Sequence, residues 1–179
     1  PLARVLFEME RNGVRIDVSV LRDFADSLRK RMNECESRVR ELAGNPTLNV
    51  ASPKQLGELL FEQLKIEPKM KRTNKGSWPT DEETLSALSD RNPVIEDILD
   101  YRGTRKLLST YIEPLPGYIS ERDGRVHTTF NQALTATGRL SSSNPNLQNI
   151  PIRTEEGQQI RRAFVAPEGC VVMSADYSQ

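Results

Sequence analysis

The strongest constraint on the fold is a heptad pattern in the first part of the chain. Apolar residues alternate at spacings of four and three through three heptads, at Leu21, Ala25, Leu28, Met32, Cys35, Val39 and Leu42. The pattern predicts a helix from residue 17 to 44, with Asp17 as its N-cap and Phe24 widening the apolar stripe. Such a stripe packs on a neighbouring helix in an antiparallel hairpin or on a second chain in a coiled-coil dimer. We predict the hairpin and keep the dimer as the alternative.

A second long helix is the expected partner of the first. Asn92-Pro93 opens it and Pro114-Leu115-Pro116-Gly117 closes it. Its apolar residues are Ile95, Ile98, Leu99, Leu107, Leu108, Tyr111 and Ile112. Between the long helices, capping boxes at 52–55 and 80–83 predict two shorter helices. The sequence therefore predicts an arm-like helical subdomain over residues 1–116.

The loop between the two shorter helices is basic. This basic tip, residues 65–80, contains Lys69, Lys71, Arg72 and Lys75 beside Thr73, Asn74, Gly76 and Ser77. Lysines in such a loop can release counterions from a phosphate backbone, and hydroxyl or amide groups can donate to phosphate oxygens. A solvated loop without function has the same composition, so both interpretations stay open at this point.

The hydrophobic period changes in residues 117–179, where a small β portion is expected. Residues 118–120 and 126–130 are predicted to pair as a β-hairpin around a turn at 122–124. His127 is the only histidine, and with no second ligand in view it is predicted to be non-catalytic. The predicted fold class is α+β, mostly α, with long antiparallel helices followed by this small β portion.

Composition limits the classes of partner and compartment. The net charge is zero, so any nucleic-acid contact has to come from local patches. No apolar run approaches the roughly 20 residues of a membrane helix, and no membrane partner is expected. Cys35 and Cys170 lie far apart without a partner motif, which is consistent with reduced thiols in the cytoplasm. The chain starts at Pro1 without a methionine, and we expect it to be a segment of a longer protein.

Residues 135–153, TATGRLSSSNPNLQNIPIR, form a long polar stretch punctuated by Gly, Asn and Pro. A polar loop of this length inside a compact domain is unusual and often functional. Asn and Gln amides beside an arginine suit recognition of the DNA minor groove, where acceptors lie at similar places for every base pair. An ordinary structural loop is the alternative.

One acidic residue near the end of the chain is a candidate metal ligand. Apolar residues predict a short buried strand over 171–176, which would deliver the carboxylate of Asp176 at its exit. A carboxylate in that position can bind a hard cation such as Mg²⁺. A single aspartate leaves this role undecided.

Three ordered blocks resemble the family A DNA polymerases, the family of bacterial DNA polymerase I. They are residues 135–142 (TATGRLSS), 145–151 (PNLQNIP) and 174–179 (SADYSQ), and the last resembles the first half of the family's motif A. The resemblance extends back over the whole chain. It implies a helical thumb over residues 1–116, with the basic tip gripping DNA, and the truncated first part of the palm over 117–179.

The same resemblance implies roles for individual residues. Asp176 would be a catalytic residue, one of two metal-bridging aspartates, with the backbone carbonyl of Tyr177 as a further metal ligand. Arg139 would reach the minor groove at the primer end, and Arg153 a phosphate. The other implied DNA contacts are Asn49, Ser52, Lys71, Arg72, Lys75, Ser77, Lys106, Ser109, Thr137, Asn146, Gln148 and Asn149.

The implied activity is template-directed addition of dNTPs to a primer 3′ end, in replication and repair in the bacterial cytosol or nucleoid. The primer-template duplex would be the partner, and two Mg²⁺ ions would serve the complete enzyme, with none expected on this chain alone. The family's triphosphate-binding residues and second aspartate would follow Gln179. The chain alone is therefore expected to be inactive, with dNTP bound only in the complete enzyme. It would be a monomer or self-associate through the strand at 171–176.

One part of the chain departs from the family's usual residues. At the basic tip, Asn74 and Trp78-Pro79 stand where the family more often has glycine and a Ser-Thr pair. The rival interpretation is a helical DNA-binding or scaffold module without catalysis, which the heptads and the balanced charge would also suit.

Overall fold

The computed structural model describes residues 1–175 of the 179-residue chain. Two compact units are present: Pro1–Asp26 with the chain from Ser109 onward, here called the mixed unit, and Ser27–Leu108, here called the helical unit. The predicted α+β class with a helical majority is confirmed. The division into a thumb and a palm concerns roles within a polymerase and stays a prediction.

The helices are α1 (Leu2–Asn12), α2 (Val18–Ala43), α3 (Pro53–Gly57), α4 (Glu82–Ala87), α5 (Val94–Leu107) and α6 (Glu155–Arg162). Two π-helical segments, Glu58–Gln63 and Leu108–Ile112, continue α3 and α5, and two 3-10 turns cover Ser89–Arg91 and Leu115–Tyr118. The strands are β1 (Val14–Ile16), β2 (Arg125–Val126), β3 (Thr129–Asn131), β4 (Ser141–Ser143) and β5 (Phe164–Val165).

In the helical unit, α2 and α5 run antiparallel, as predicted. Arg31 pairs with Asp100 at 2.6 Å and Arg38 with Asp97 at 2.6 Å, so the partner number falls as the α2 number rises. Cys35 lies between these two pairs, fully buried in the hydrophobic core. Burial, followed by the hydrogen bond from its thiol to Asp100 at 3.3 Å, raises the pKa of Cys35 to about 11. The thiol is therefore a neutral core group.

The heptad stripe of α2 is buried within the chain over most of its length. Leu21, Ala25, Leu28, Cys35 and Val39 are all buried. The prediction is wrong for the last position, because Leu42 is 45% exposed in the final turn, just before the chain leaves the helix at Gly44. A stripe covered by its own chain is not offered to a second chain, so the hairpin and not the coiled-coil dimer is the correct interpretation.

Capping residues start the helices close to the predicted positions. Asp17 accepts the backbone N–H of Ser19 at 2.9 Å, and Ser52 accepts that of Gln55 at 3.4 Å. The predicted box at 80–83 is shifted by one residue, since Asp81, not Thr80, caps α4 by accepting from Thr84 at 2.9 Å. Aspartate is the better N-cap of the two, and its carboxylate also interacts favourably with the helix N-terminus.

The mixed unit contains two small antiparallel sheets. One has the order β2-β1-β5, with Val14 opposite Val126 and Ile16 opposite Phe164. The other pairs β3 with β4, with Phe130 opposite Ser142. The polar stretch 135–153 thus begins as the connection between two paired strands.

The predicted hairpin of 118–120 with 126–130 is only partly correct. Ile119 and Val126 form an isolated bridge, and the turn at 122–124 is present, but the main partner of β2 is β1. The predicted second strand, residues 126–130, is also divided, because the chain leaves one sheet after Val126 and enters the other at Thr129. A pairing between residues more than a hundred positions apart leaves no local sequence signal, so the partnership of β1 with β2 cannot be predicted from the local pattern.

The strand predicted over 171–176 is absent from its described part. Residues 171–175 adopt neither helix nor strand, and Val171, Val172 and Met173 are 88%, 74% and 86% exposed. A strand needs a neighbour to satisfy its backbone groups, and none of the described strands pairs with this segment. Asp176 lies outside the described residues, and the predicted self-association through this segment stays a prediction.

His127 occupies a structural position between α1 and β2. Its Nδ1 lies 2.7 Å from the carbonyl oxygen of Glu10, and its Nε2 lies 3.1 Å from both carboxylate oxygens of Asp123. Both partners accept hydrogen bonds, so the ring makes both bonds only when both nitrogens carry protons. The carbonyl of Glu10, then the carboxylate of Asp123, raise the pKa of His127. The hydrogen bond from His127 in turn lowers the pKa of Asp123 to about 2.

We predict that the pKa of His127, the sole histidine, lies above the ordinary value of about 6.5. NMR of the imidazole ring during a pH titration measures this pKa. Because the folded pKa of His127 is raised, its contribution to stability is fully present below the unfolded pKa and is lost as the pH rises through the folded pKa. Asp123→Asn should bring the histidine pKa back toward its ordinary value. A ring that titrates at or below that value in the wild-type chain would contradict the assignment.

Candidate nucleic-acid interface

A groove of the mixed unit lies along the polar stretch. Its volume is about 550 Å³, and one side is built from the π-helical segment and the turn after it. The other side is β4 and the residues that follow it. The lining residues are Ser109, Thr110, Tyr111, Pro114, Leu115, Tyr118, Ser142, Ser143, Asn144, Pro145, Asn146, Asn149 and Ile150.

This groove brings together three predicted DNA contacts from two distant segments of the chain. Ser109 comes from the π-helical segment, and Asn146 and Asn149 come from the loop after β4. All three are exposed. Every lining residue is uncharged, so the groove offers hydroxyl and amide groups to a ligand and no ionic contact.

The orientation of the Asn146 amide is set by the backbone around it. Its Oδ1 accepts the backbone N–H of Gln148 at 3.0 Å and that of Asn149 at 3.3 Å. A backbone N–H can only donate, so the atom that receives these bonds has to be the oxygen. The amide nitrogen is then the end that remains for a partner in the groove. Asn146 is thereby prepared to act as a hydrogen-bond donor.

A buried hydroxyl supports the loop from beneath. Thr128, 8% exposed, donates to the carbonyl oxygen of Pro145 at 2.7 Å and lies 3.1 Å from that of Ser143. Ser142, 3% exposed, accepts the backbone N–H of Leu147 at 3.1 Å and lies 3.4 Å from Oδ1 of Asn146. These two side chains bond to backbone groups that the three-residue strands cannot satisfy.

The other predicted contacts of the mixed unit lie outside the groove lining. Gln148 is exposed and donates from its side chain to the carbonyl oxygen of Leu140 at 3.0 Å, so part of its amide is used within the loop. Thr137 and Arg139 lie in an exposed turn closed by the hydroxyl of Thr135, which donates to the carbonyl of Arg139 at 2.5 Å. Arg153 is exposed just before α6.

In the helical unit, several predicted contacts already have local partners. Asn49 accepts from the backbone of Ala51 at 2.9 Å, and Ser52 caps α3. Ser77 shares a hydrogen bond with the hydroxyl of Thr73 at 2.9 Å. Arg72 contacts Glu62 at 2.8 Å, whereas Lys71 and Lys75 are exposed side chains of the basic tip.

Lys106 lies exposed on α5 at a small pocket of about 180 Å³, whose lining includes Glu82, Ser86 and Arg102. Arg102 itself donates to the carbonyl oxygen of Thr80 and is half-buried, and this burial lowers its pKa. Arg102 therefore ties α5 to the start of α4 and is not simply part of a solvated charged face.

Sequence reasoning missed the aromatic and hydroxyl side chains of the groove. Thr110 was not singled out, Tyr111 was counted with the buried face, and Tyr118 was placed in a strand. Tyrosine in a helical stripe gives a weak signal of such a position, because its ring packs while its hydroxyl seeks a polar partner.

The described residues contain no group of three or more His, Cys, Asp or Glu side chains that could hold a metal ion. The two predicted metal ligands, Asp176 and Tyr177, lie beyond the described part of the chain. Across residues 1–175, no helix is long and apolar enough to cross a membrane.

Comparison with known proteins decides the family. The model of the family "DNA polymerase family A" matches residues 18–179. The chain belongs to DNA polymerase family A. This confirms the resemblance carried by the three sequence blocks.

Relatives within family A extend along the whole chain. The chain is 50% identical over 179 residues to the thermostable DNA polymerase I of Thermus filiformis, covering all of this chain and 21% of the relative. It is 48% identical over 180 residues to DNA polymerase I of Bacillus subtilis, covering 20% of that protein. The chain thus spans about a fifth of the length of these curated relatives.

A solved family A structure matches the fold. It is the POL domain of Pol1 from M. smegmatis in complex with DNA primer-template and dNTP, with a TM-score of 0.81 and 40% sequence identity. The match covers 93% of this chain and 29% of that one.

Thr128→Val should destabilise the chain, because the isosteric side chain leaves the carbonyls of Ser143 and Pro145 without their buried donor. The expected loss is about 1–3 kcal/mol in the free energy of unfolding, measured by urea denaturation. Thr128→Ser keeps the hydroxyl and should lose less. A loss for Thr128→Val that is no larger than the loss for Thr128→Ser would show that the hydroxyl is not the main stabilising group of this side chain.

Proposed function

We propose that this chain holds the primer-template duplex in a template-directed DNA polymerase. The observation that carries the proposal is the uncharged groove in which Ser109, Asn146 and Asn149 meet, with the Asn146 amide nitrogen prepared to donate. Purine N3 and pyrimidine O2 accept hydrogen bonds at similar places in the minor groove of every base pair. Amide and hydroxyl groups can therefore contact any correctly paired duplex without reading its sequence.

The charged contacts of the proposed function come from elsewhere in the chain. Arg139 and Arg153 in the mixed unit, and Lys106, Lys71 and Lys75 in the helical unit, are exposed cations suited to phosphate oxygens. Further polar contacts would come from donors and acceptors that are not used in local hydrogen bonds, on Asn49, Ser52, Ser77, Thr137 and Gln148. A duplex of any sequence presents the same phosphates, so these contacts give affinity without sequence preference. Membership of family A supports the proposal.

For the chemistry, we propose that the carboxylate of Asp176 and the backbone carbonyl of Tyr177 hold Mg²⁺ in the whole protein. Both are hard oxygen donors of the kind that Mg²⁺ prefers. When bound, two such ions stabilise the attacking 3′-oxygen and the leaving pyrophosphate oxygen. Asp176 is then a ligand and not the nucleophile, which is the primer 3′-hydroxyl. The whole protein would work in the bacterial cytoplasm, where replication and repair require it.

Asn146→Asp tests the donor role directly. The carboxylate can still accept from Gln148 and Asn149, so the loop should keep its shape while the N–H donor is lost. The matched control is Gln132→Glu, which adds the same charge at an exposed position of the mixed unit outside the groove lining. We expect Asn146→Asp to weaken binding of a fluorescent primer-template more than the control, by about 2- to 10-fold for one hydrogen bond. Equal weakening in anisotropy titrations would remove Asn146 from the interface.

A primer-extension assay with Mg²⁺ and dNTPs tests the catalytic part. The 179-residue chain spans about a fifth of its relatives, and we expect it to bind duplex without extending the primer. A full-length homologous protein should extend the primer, and its variant at the position of Asp176, changed to Ala, should bind duplex but lose extension. Templated extension by the 179-residue chain, or by the Ala variant, would contradict the proposed role.

A further inference from the structure

The basic tip contains an interaction that its composition does not reveal. Glu62, at the end of the π-helical segment, accepts two hydrogen bonds on the same oxygen. One comes from the guanidinium of Arg72 at 2.8 Å and the other from the indole N–H of Trp78 at 2.8 Å. The guanidinium also lies over the indole ring, 4.7 Å from its centroid. We call these three residues the clasp.

The clasp is anchored in the core of the helical unit. The indole of Trp78 packs on the buried ring of Phe61, with centroids 5.2 Å apart. It also lies so close to Gly57 that a Cβ there would come within 2.6 Å of the Trp78 Cβ. Residues of the helical segments thus fix the position of the aromatic ring. The guanidinium of Arg72 lies over the same ring.

From Arg72 the contacts continue into the exposed turn of the tip. Its second guanidinium nitrogen donates to the carbonyl of Gly76 at 2.9 Å. The turn is closed by the backbone N–H of Thr73, which donates to Ser77 at 2.8 Å, and by that of Gly76, which donates to Thr73 at 2.8 Å. Lys75 lies within this turn and is exposed. The clasp therefore connects the core to the segment that carries Lys75.

We propose that the clasp positions the basic tip, that Arg72 is a positioning residue, and that Lys71 and Lys75 carry the phosphate contacts. This inference rests on the proposed duplex binding. The positive charge of Arg72 is paired with Glu62. Its two terminal nitrogens donate to Glu62 and to the carbonyl of Gly76, and its guanidinium plane lies over the ring of Trp78. A planar guanidinium can make all three contacts at once, which a lysine cannot. Lys71 and Lys75 have ammonium groups in the solvent, where a phosphate backbone can reach them.

Glu62→Gln distinguishes this proposal from a purely electrostatic effect of the glutamate, because the two predict opposite changes in the affinity for DNA. Removing a negative charge beside the tip should tighten DNA binding if the glutamate acts only through its charge. If the clasp positions the tip, the variant should bind duplex more weakly, by roughly 1.5- to 5-fold for one exposed ion pair. The matched control is Glu83→Gln, which removes an exposed carboxylate on α4 and should leave binding unchanged or slightly tighter.

The fluorescence of Trp78, the single tryptophan, reports the clasp without DNA. Glu62→Gln and Arg72→Lys should increase quenching of this fluorescence by acrylamide, whereas Lys75→Ala and Glu83→Gln should not. In the salt dependence of duplex binding, Lys75→Ala should reduce the slope by about 0.9, the value for one phosphate contact. Arg72→Lys should leave the slope unchanged while weakening binding.

These readouts separate the two proposals. Unchanged quenching in Glu62→Gln, or tighter binding of DNA by that variant, would overturn the clasp. Arg72→Ala reducing the salt slope as much as Lys75→Ala would overturn the division of roles. A wild-type chain that fails to bind duplex at low salt would overturn the proposed function, and the quenching data would still decide whether the clasp exists.

Discussion

The candidate interface depends on how a loop with little regular structure satisfies its backbone. The two paired strands that precede it, β3 and β4, are three residues long, so their ladder satisfies few groups. Side chains complete the hydrogen bonding instead, with Thr128 donating to the carbonyl of Pro145 and Ser142 and Asn146 accepting backbone N–H groups. The same bonds determine which end of the Asn146 amide remains for a ligand. The same side-chain hydrogen bonds therefore stabilise the loop and orient the donor in the groove. A mutation of Thr128 beneath the loop should affect both the stability and the binding of a ligand.

Uncharged polar groups and the proposed cationic contacts lie in different parts of the chain. The groove is lined by uncharged residues, whereas the exposed cations lie on the tip, on α5 and on the segments flanking the groove. This division suits a duplex of arbitrary sequence. In the proposed function, cations would contact the phosphates, and amide and hydroxyl groups, which cost less to desolvate than a charge, would contact the edges of base pairs. A balanced net charge is thus compatible with the proposed function.

The sequence predicted those parts of the fold whose signals are local. The stripe of α2, except at Leu42, and the opening of α5 at Asn92-Pro93 were correct, because burial repeats with the helical period and capping involves neighbours in sequence. Pairing of β1 with β2 was missed, because residues such as Val14 and Val126 meet only after the chain has folded. Asn146 and Asn149, two of the predicted DNA contacts, line the groove, and their contact with DNA stays a prediction. Tyr111 and Tyr118 on the groove wall gave no such signal, since tyrosines in an apolar pattern are counted as core. The predicted metal ligands remain outside the described residues.

The basic tip shows why residue type alone does not fix a role. Arg72 and Lys75 carry the same charge three positions apart, yet their surroundings differ. Trp78 is half-buried, and a half-buried indole needs a partner for its N–H, which Glu62 supplies. Once a carboxylate and an aromatic face lie together, a guanidinium is the cation that fits both. A glutamate in the preceding helical segment and a tryptophan that follows the arginine therefore indicate a structural cation, and the departure at Trp78 is the available signal in the sequence. Counting positive charges overestimates the phosphate contacts of such a loop, because an ion pair within the protein competes with them.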